Sequence, residues 1–504
     1  MNILLVYPQY PETFWSFKHA LKFISKRASI PPLGLLTIAS MMPKNWSQKL
    51  VDMNVESLKD RDIQWADLVL ISAMVVQRTS AEKVIDRAHA FGKKVVAGGP
   101  LFTEEPDHFP QIDHLVLDEG EITFPQFLND LAKGTPKRIY RSMEHPDLTQ
   151  TPVPKWELIN LNKYATMALQ YSRGCPYNCE FCDIVVLYGH RPRTKSKEQI
   201  LNELEQLYKA GWRDAIFFVD DNFIGNKKKL KAEILPAIID WMKKKKYPFY
   251  LNTEVSINLA KDDELLNQMV DAGFRKVFIG IETPNEESLK ECKKLQNTNI
   301  DLISSIRKIQ AVGMEVQGGF IVGFDQDTPS IFETQIRFIQ NSGIMTAMVG
   351  LLNAPRGTRL YNRLKSEKRL LGDISGDNVD FSTNFIPKMN PKKLLEGYRH
   401  ILETIYSPSE YYKRLKVYLS HYNLPKINHV SFHFFYVEAL LKSIWVLGIR
   451  CKFRRYYWKI LAWSLIKRPK LISVAITQAI YGYHFRKILE NYPRNLALES
   501  RHAE

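Results

Sequence analysis

A chain of 504 residues with 45% apolar, 12% aromatic and 25% charged residues can bury a large core and divide into about three domains, and its composition excludes disordered, collagen-like and coiled-coil classes. Five cysteines, three of them at 175, 179 and 182, do not fit a disulfide scaffold and point to a reducing compartment. The net charge is +16, but 17 Lys/Arg against 4 acidic residues lie from Tyr411 onward, which leaves +3 for the first 410 positions.

The first apolar run, 3–6, is too short for a signal peptide and is followed by Pro8, Pro11 and Glu12, so a cytoplasmic protein is expected. Residues 1–135 alternate short apolar strands at 2–7, 50–53, 68–73, 94–97 and 114–117 with helical patterns such as 33–42 and 80–91. That alternation predicts an α/β domain with a doubly wound parallel sheet. Ligands sit at the carboxyl ends of the strands in such a sheet. Here those ends carry Ser72 with Gln77, Gly98-Gly99-Pro100, and Glu119-Gly120-Glu121, residues that ordinary loop chemistry would also explain. Neither a Walker A sequence nor GxGxxG follows a strand, so those two nucleotide sites are not supported.

Residues 136–163, with Pro136, Pro146, Pro152 and Pro154, read as a linker. A second βα series fills 164–384, with strands at 168–173, 215–220, 249–255, 276–282, 315–322 and 347–353 and helices such as 196–210, 262–272 and 300–312. Successive βα units of this kind predict a partial, six-stranded parallel barrel whose site lies at the carboxyl ends of its strands. From 385 to 504 the pattern is helical, ending in 432–449, 455–466 and 472–489, rich in Trp, Tyr and Phe with Arg and Lys between them. The stretch 430–449 is interrupted by Glu438 and Lys442, and 471–481 has eleven residues. A bilayer span needs about 20 apolar residues, so none is expected.

Directly after the first barrel strand comes Arg173-Gly174-Cys175-Pro176-Tyr177-Asn178-Cys179-Glu180-Phe181-Cys182. Three thiolates on one Gly/Pro-opened loop can converge on a metal. A zinc site wants a fourth protein ligand, for which only His190 is near; a cubane iron–sulfur cluster can take three cysteines and leave one iron open.

The CxxxCxxC sequence, with Phe181 before its last cysteine and placed after strand one of a partial barrel, resembles the signature of the radical S-adenosylmethionine family. The resemblance implies that Cys175, Cys179 and Cys182 ligate a [4Fe-4S] cluster whose open iron binds S-adenosylmethionine, and that Phe181 borders the adenine. Asp220-Asp221-Asn222-Phe223, Asn252-Thr253-Glu254, Gly280-Ile281-Glu282-Thr283, the 318–323 glycine-rich strand and 353–358 resemble the family's strand-end segments. This implies Asp221, Glu254, Glu282, Gly318 and Gly319 as contacts of S-adenosylmethionine, with carboxylates as acceptors for an ammonium or hydroxyl and glycines for close backbone approach.

The N-terminal region, through 31–36, Ser72-Ala73-Met74 and Gly98-Gly99-Pro100, resembles the cobalamin-binding domain that precedes many such barrels. The Asp-x-His-x-x-Gly motif that supplies a cobalt-ligating histidine elsewhere is absent, and His89, His108 and His114 read as surface or packing residues. The implied cobalamin contacts are Ser72, Gln77, Gly98, Gly99, Glu119 and Gly120, with no histidine on cobalt. The whole architecture, including the tail at 453–492, resembles the hopanoid C-2 methylase subgroup.

The reading is a cobalamin-dependent C-methyltransferase that uses a 5′-deoxyadenosyl radical and methylcobalamin on an unactivated carbon of an apolar, lipid-like substrate. Its implied partners are a small-molecule substrate, an electron donor and, through the basic tail, the inner face of a membrane; nucleic acid is not expected. The rivals are a radical cyclase or rearrangement enzyme without net methylation, and a non-catalytic metal- or RNA-binding protein. A methylthiotransferase would carry a second cluster on N-terminal cysteines, and residues 1–174 contain none. Cys292 and Cys451 read as ordinary thiols.

Overall fold

A computed structural model describes residues 1–425 and 434–491. The start of the helix expected from 432, Tyr492 and the residues to 504 lie outside that range. The chain divides into two units, one of Met1–Pro11, Lys26–Pro176 and Asp183–Phe249, the other of Glu12–Ser25, Tyr177–Cys182 and Tyr250–Glu504.

In the first unit a parallel sheet is built from β1 (Asn2–Tyr7), β2 (Ser47–Asp52), β3 (Leu68–Ser72), β4 (Lys94–Gly98), β5 (His114–Val116) and β6 (Ile139–Tyr140), in the order β2-β1-β3-β4-β5-β6. Its interior strand β1 explains the sequence pattern: Ile3, Leu4, Leu5 and Val6 are all 0% exposed, because helices cover both faces of a doubly wound sheet and a continuous apolar run results. The order reverses at β1, between its neighbours β2 and β3, and such a switch point opens a crevice at the carboxyl ends of the strands. β6 arises inside the segment expected to be a linker, where Ile139 and Tyr140 pair with Leu115 and Val116.

The first unit also holds the opening of the second βα series. β7 (Met167–Leu169) pairs in parallel with β10 (Ala215–Phe218), while a short antiparallel ribbon, β8 (Ser172–Arg173) with β9 (Arg193–Thr194), carries the chain into and out of the cysteine loop. The single strand expected at 168–173 is therefore broken. Asp220 is the cause: its buried carboxylate accepts hydrogen bonds from the Tyr171 N–H at 2.9 Å, the Ser172 hydroxyl at 2.5 Å and the Ser172 N–H.

The second unit holds four parallel strands in succession, β11 (Tyr250–Glu254), β12 (Phe274–Glu282), β13 (Glu315–Val322) and β14 (Ala347–Leu351). The βα alternation is the one the sequence predicts for the barrel. Beyond it run the helices Pro391–Ile405, Pro408–His421, Phe434–Ser443, Arg454–Lys467 and Ile472–Asn491. Ser407 caps the second of these through the Glu410 N–H, with Pro408 in its first turn, a start signal readable in the sequence. Among the described residues no helix is long and apolar enough to cross a membrane.

Candidate functional site

In the first unit, the loop after β5 is wired to the strand that precedes the cysteine loop. Glu119 is 5% exposed. It accepts from Arg173 at 2.8 Å, from Arg193 at 2.8 and 3.0 Å and from the His145 ring at 2.8 Å. Glu121 takes two bonds from Arg173, at 2.8 and 2.9 Å, and one from the Thr151 hydroxyl at 2.8 Å. Burial raises the Glu121 carboxyl, but the charge and hydrogen bonds of Arg173 outweigh it and bring it down to about 2. Arg173 leads directly into Gly174, whose φ of 92° a side chain would resist; an added Cβ would lie 2.8 Å from the Arg191 carbonyl and 3.0 Å from that of Gly189. The next residue, Cys175, donates its N–H to the Gly189 carbonyl at 3.2 Å.

The carboxyl ends of the first sheet place the other cobalamin candidates, and they are busier than the sequence suggests. Gln77 is 1% exposed and its amide is spent on the protein, donating to the Pro8 carbonyl at 2.5 Å and accepting the Met74 N–H at 2.9 Å. Gly98 and Gly99 are demanded by the protein's own backbone, while at Gly120 only the end of a side chain stands in the way. A Cβ on Gly98 would lie 2.6 Å from the Val116 carbonyl, one on Gly99 (φ 91°) 2.5 Å from the Ser72 hydroxyl, and one on Gly120 2.6 Å from Ile38 Cδ1. The histidines have local partners: His89 faces Asp113 at 3.1 Å, His108 faces Glu105 at 3.5 Å, and buried His114 meets the Lys137 carbonyl at 2.7 Å.

Asp221 follows β10 in this unit. Burial first, then the charges of Asp220 and Asp183, push its carboxyl up to about 7. Its Oδ2 is buried without a hydrogen-bond partner, an acceptor that a bound cation or hydroxyl could use.

In the second unit, the Tyr177–Cys182 segment is fastened at nearly every residue. Tyr177 OH bonds Asn258 at 2.5 Å, the Asn178 carbonyl accepts from Arg359 at 3.0 Å, and Glu180 accepts from Arg363 at 2.8 and 3.2 Å. The Glu180 N–H donates to the Cys292 carbonyl at 2.8 Å, and Phe181 packs with Phe324 at a ring distance of 6.3 Å. Cys179 is 8% exposed, with the Gln296 amide nitrogen 3.6 Å from its sulfur. Lys294 lies in the field of the Cys179 and Cys182 sulfurs and bonds Glu282 at 2.7 Å.

Glu282 itself sits at φ 63°, at a register shift between β12 and β13, so the backbone turns its carboxylate toward Lys294 at some cost in strain. Glu254 is the last residue of β11, partly exposed, while Asn252 in the same strand has a buried Oδ1 without partner. Gly318 and Gly319 in β13 stand against aromatic rings: added Cβ atoms would lie 2.8 Å from Phe320 and 2.8 Å from Phe278. Ring packing therefore already requires these two glycines.

None of the three loop cysteines is joined in a disulfide, and no three His, Cys, Asp or Glu side chains among the described residues form a ready metal-binding group. The donor set fits a cubane cluster: three thiols on a loop pinned on both sides, with an amide donor and a cation beside Cys179, the kind of outer partners that tune such clusters. Sequence reasoning missed Arg173, Lys294, Gln296, Arg359 and Arg363. The charged run around Cys292 reads as an ordinary helix, and only a pairing of Glu180 with a distant arginine could have marked the others.

Comparison with known proteins gives these observations a family. Residues 24–128 match the B12 binding domain, 169–339 the radical SAM superfamily and 358–497 a domain of unknown function. The chain is 40% identical over 497 residues to an uncharacterized methyltransferase of Synechocystis sp., covering 97% of this chain and 92% of that one. It is 34% identical over 479 residues to the hopanoid C-2 methylase of Rhodopseudomonas palustris, covering 92% and 90%. In fold it is similar to the radical S-adenosylmethionine methyltransferase TsrM from Kitasatospora setae with cobalamin and [4Fe-4S] cluster bound, at a TM-score of 0.64 and 14% identity over 97% of this chain and 99% of that one. The chain belongs to the radical S-adenosylmethionine enzymes with an N-terminal B12-binding domain, the methyltransferase family whose cofactors are a [4Fe-4S] cluster, S-adenosylmethionine and cobalamin.

Proposed function

We propose that this enzyme transfers a methyl group to an unactivated carbon of an apolar, lipid-like substrate. The observation that carries the reading is the 34% identity to a hopanoid C-2 methylase along nine tenths of both chains. In this reading Cys175, Cys179 and Cys182 hold the cluster; Phe181, Asp221, Glu254, Glu282 and the main chain at Gly318 and Gly319 hold S-adenosylmethionine; and Ser72 with the main chain at Gly98, Gly99 and Gly120 faces cobalamin. The four-part division at 135, 163 and 384, a cytoplasmic location and contact of the basic tail with the inner face of a membrane belong to the same proposal.

When bound, the cluster with S-adenosylmethionine supplies a hydrogen-abstracting radical and cobalamin supplies the methyl group, so no side chain need act as nucleophile. The chain's own contribution is placement. Arg359 and Arg363 fix Asn178 and Glu180, the two neighbours of Cys179. Arg173, held by Glu119 and Glu121, fixes the backbone just ahead of Gly174 and Cys175. Lys294 holds the Glu282 carboxylate in one position, and Asp221 keeps a buried oxygen available for an ammonium or hydroxyl donor.

The test is anaerobic reconstitution followed by turnover with methyl-deuterated S-adenosylmethionine and a polycyclic hydrocarbon lipid extract. Deuterated methyl in a lipid product, together with 5′-deoxyadenosine, is expected. 5′-Deoxyadenosine with an altered but unlabelled lipid would replace the reading by a cyclase or rearrangement.

A further inference from the structure

Among the described residues, eight of the eighteen large apolar side chains that face solvent lie between 436 and 466 in the C-terminal helices, the other ten being scattered from Met1 to Ile386. Leu441, Trp445 and Ile449 are 62%, 53% and 50% exposed, and Leu465 and Ile466 are 56% and 76%. The first three are spaced four apart on Phe434–Ser443 and its continuation Ile444–Arg450. An α-helix carries residues four apart about 40° round its axis at each step. Ile444–Arg450 is wound as a π-helix, and its wider turns take up that drift and keep the three side chains in one row.

The opposite side of the same helix is the packed side. Ser443 and Leu447 are 0% and 3% exposed, the Ser443 hydroxyl bonds Tyr457 OH at 2.8 Å, and the Gly448 carbonyl accepts from the Trp458 indole at 2.9 Å. The row therefore points away from the unit's own core, and an apolar row left in water in this way marks an interaction surface.

Charge says what covers it. Positions 441–470 contain nine Lys/Arg and no Asp/Glu. Arg450 lies over the Trp445 ring at 5.6 Å, and Arg454, Arg455 and Lys459 are exposed on the following helix, which also presents Leu465 and Ile466. A protein partner would be matched by mixed charges. Apart from Lys442, which Glu438 pairs at 2.6 Å, these cations have no acidic neighbour in the stretch, and on long stems interleaved with Trp, Leu and Ile they suit a surface that is negative outside and apolar beneath.

We propose that this face, the Leu441–Trp445–Ile449 row with its flanking arginines and lysines, is a docking surface for an anionic lipid bilayer, on which the enzyme would meet its substrate. This deepens the membrane contact in the function proposed above and rests on that reading for its purpose. The attraction to the headgroups falls with salt, while the apolar insertion does not.

The test uses the full chain and vesicles of phosphatidylcholine, alone or with 30% phosphatidylglycerol, sedimented at low and high salt. The wild-type chain should pellet with the anionic vesicles at low salt, at least tenfold more than with neutral ones. The variant Leu441→Ser/Trp445→Ser/Ile449→Ser should lose most of that binding, and Arg454→Glu/Arg455→Glu/Lys459→Glu should lose its salt-sensitive part. Circular dichroism and 5′-deoxyadenosine formation should match wild type in both.

The proposal is overturned if the wild-type chain stays in the supernatant, or if the triple-serine variant, folded, pellets as well as wild type. It is equally overturned if that variant instead converts a wild-type dimer to a monomer, since the face then joins two copies. Methylation of detergent-dispersed substrate, measured alongside, separates the two claims. Turnover without vesicle binding defeats the docking surface alone, and binding without methyl transfer defeats the proposed reaction alone.

Discussion

Replacing Glu121 by Gln removes one negative charge from the knot that anchors the cysteine loop while keeping the side chain's shape. In the wild-type chain the carboxylate is 7% exposed and accepts from both terminal guanidinium nitrogens of Arg173, itself 13% exposed. Its carboxyl is held at about 2 against an ordinary 4.5, which corresponds to about 3 kcal/mol of native-state stability. Since the folded value is depressed, that contribution is fully present above about pH 4.5 and is lost as the pH falls toward 2. Glu119 also contacts Arg173, so the guanidinium is not left bare, and the loss should stay at the lower end of the ~3–5 kcal/mol for breaking a buried pair. Two units in one chain make a single unfolding midpoint ill-defined, so the suitable assay is hydrogen exchange of peptides spanning 115–125 and 168–195 in a urea series. Glu121→Gln should lower their opening free energy by about 3 kcal/mol at pH 7 and by about 2 kcal/mol at pH 3.5. Thr151→Val, which removes a single charge-assisted bond to the same carboxylate, should cost less, about 1.5 kcal/mol at pH 7. Equal losses for the two variants at pH 7, or a Glu121→Gln loss unchanged at pH 3.5, would refute the electrostatic account of the knot.

Replacing Cys175, Cys179 and Cys182 together by Ala should abolish both the visible absorbance of the reconstituted protein and 5′-deoxyadenosine formation; a normal cluster spectrum in that variant contradicts the ligand assignment. Gly98→Ala should destabilise the first sheet by about 1–3 kcal/mol through the Val116 carbonyl, seen as faster exchange in 94–98 and 114–116 before any cofactor is added. Gly99→Ala should be only partly rescued by Ser72→Ala, because removing the hydroxyl relieves the contact but leaves the φ of 91°. Asp221→Asn should stabilise the cofactor-free chain at pH 8 and hardly at pH 4: burial and its acidic neighbours raise the carboxyl to about 7, so the native state resists its ionisation increasingly as the pH climbs, up to about 4 kcal/mol. An Asn variant no more stable than wild type at pH 8 rules this out. Lys294→Met, which removes the cation and leaves the Glu282 charge uncompensated, should lower the cluster's reduction potential, on the order of 60 mV for each ~1.4 kcal/mol of lost cationic field, as read by potentiometric electron paramagnetic resonance.

What the sequence made legible and what it hid divide along a physical line. The strand at Glu315–Val322 is predicted to the residue, and the CxxxCxxC loop and the parallel sheet of 1–135 are equally plain, because period, apolar runs and close spacing are local properties of a chain. Local pattern also has a definite limit. Positions 168–173 read as one strand because nothing within six residues reveals that Asp220, nearly fifty positions on, will draw off the amides of Tyr171 and Ser172. The same limit hid Arg173, whose partners Glu119 and Glu121 lie over fifty residues earlier. Their Glu-Gly-Glu sequence looked like a ligand loop, and two of its three residues turn out to hold protein.

The glycines carry the argument furthest. Gly98, Gly99, Gly318 and Gly319 all stand at strand ends or on the strand series from which a cofactor loop would be expected, and each could be assigned to a cofactor from spacing alone. In the folded chain every one of them is already required by a carbonyl, a hydroxyl or an aromatic ring within 3 Å of where its Cβ would be. Loss of function on enlarging them would therefore not by itself report cofactor contact, since the same substitution strains the scaffold first. A side chain that keeps a buried oxygen unpaired is better evidence of a ligand than a side chain that is missing. On that criterion Asp221 and Asn252 discriminate more sharply than the glycines, because their replacement can change cofactor affinity while relieving, not adding, cost to the empty fold.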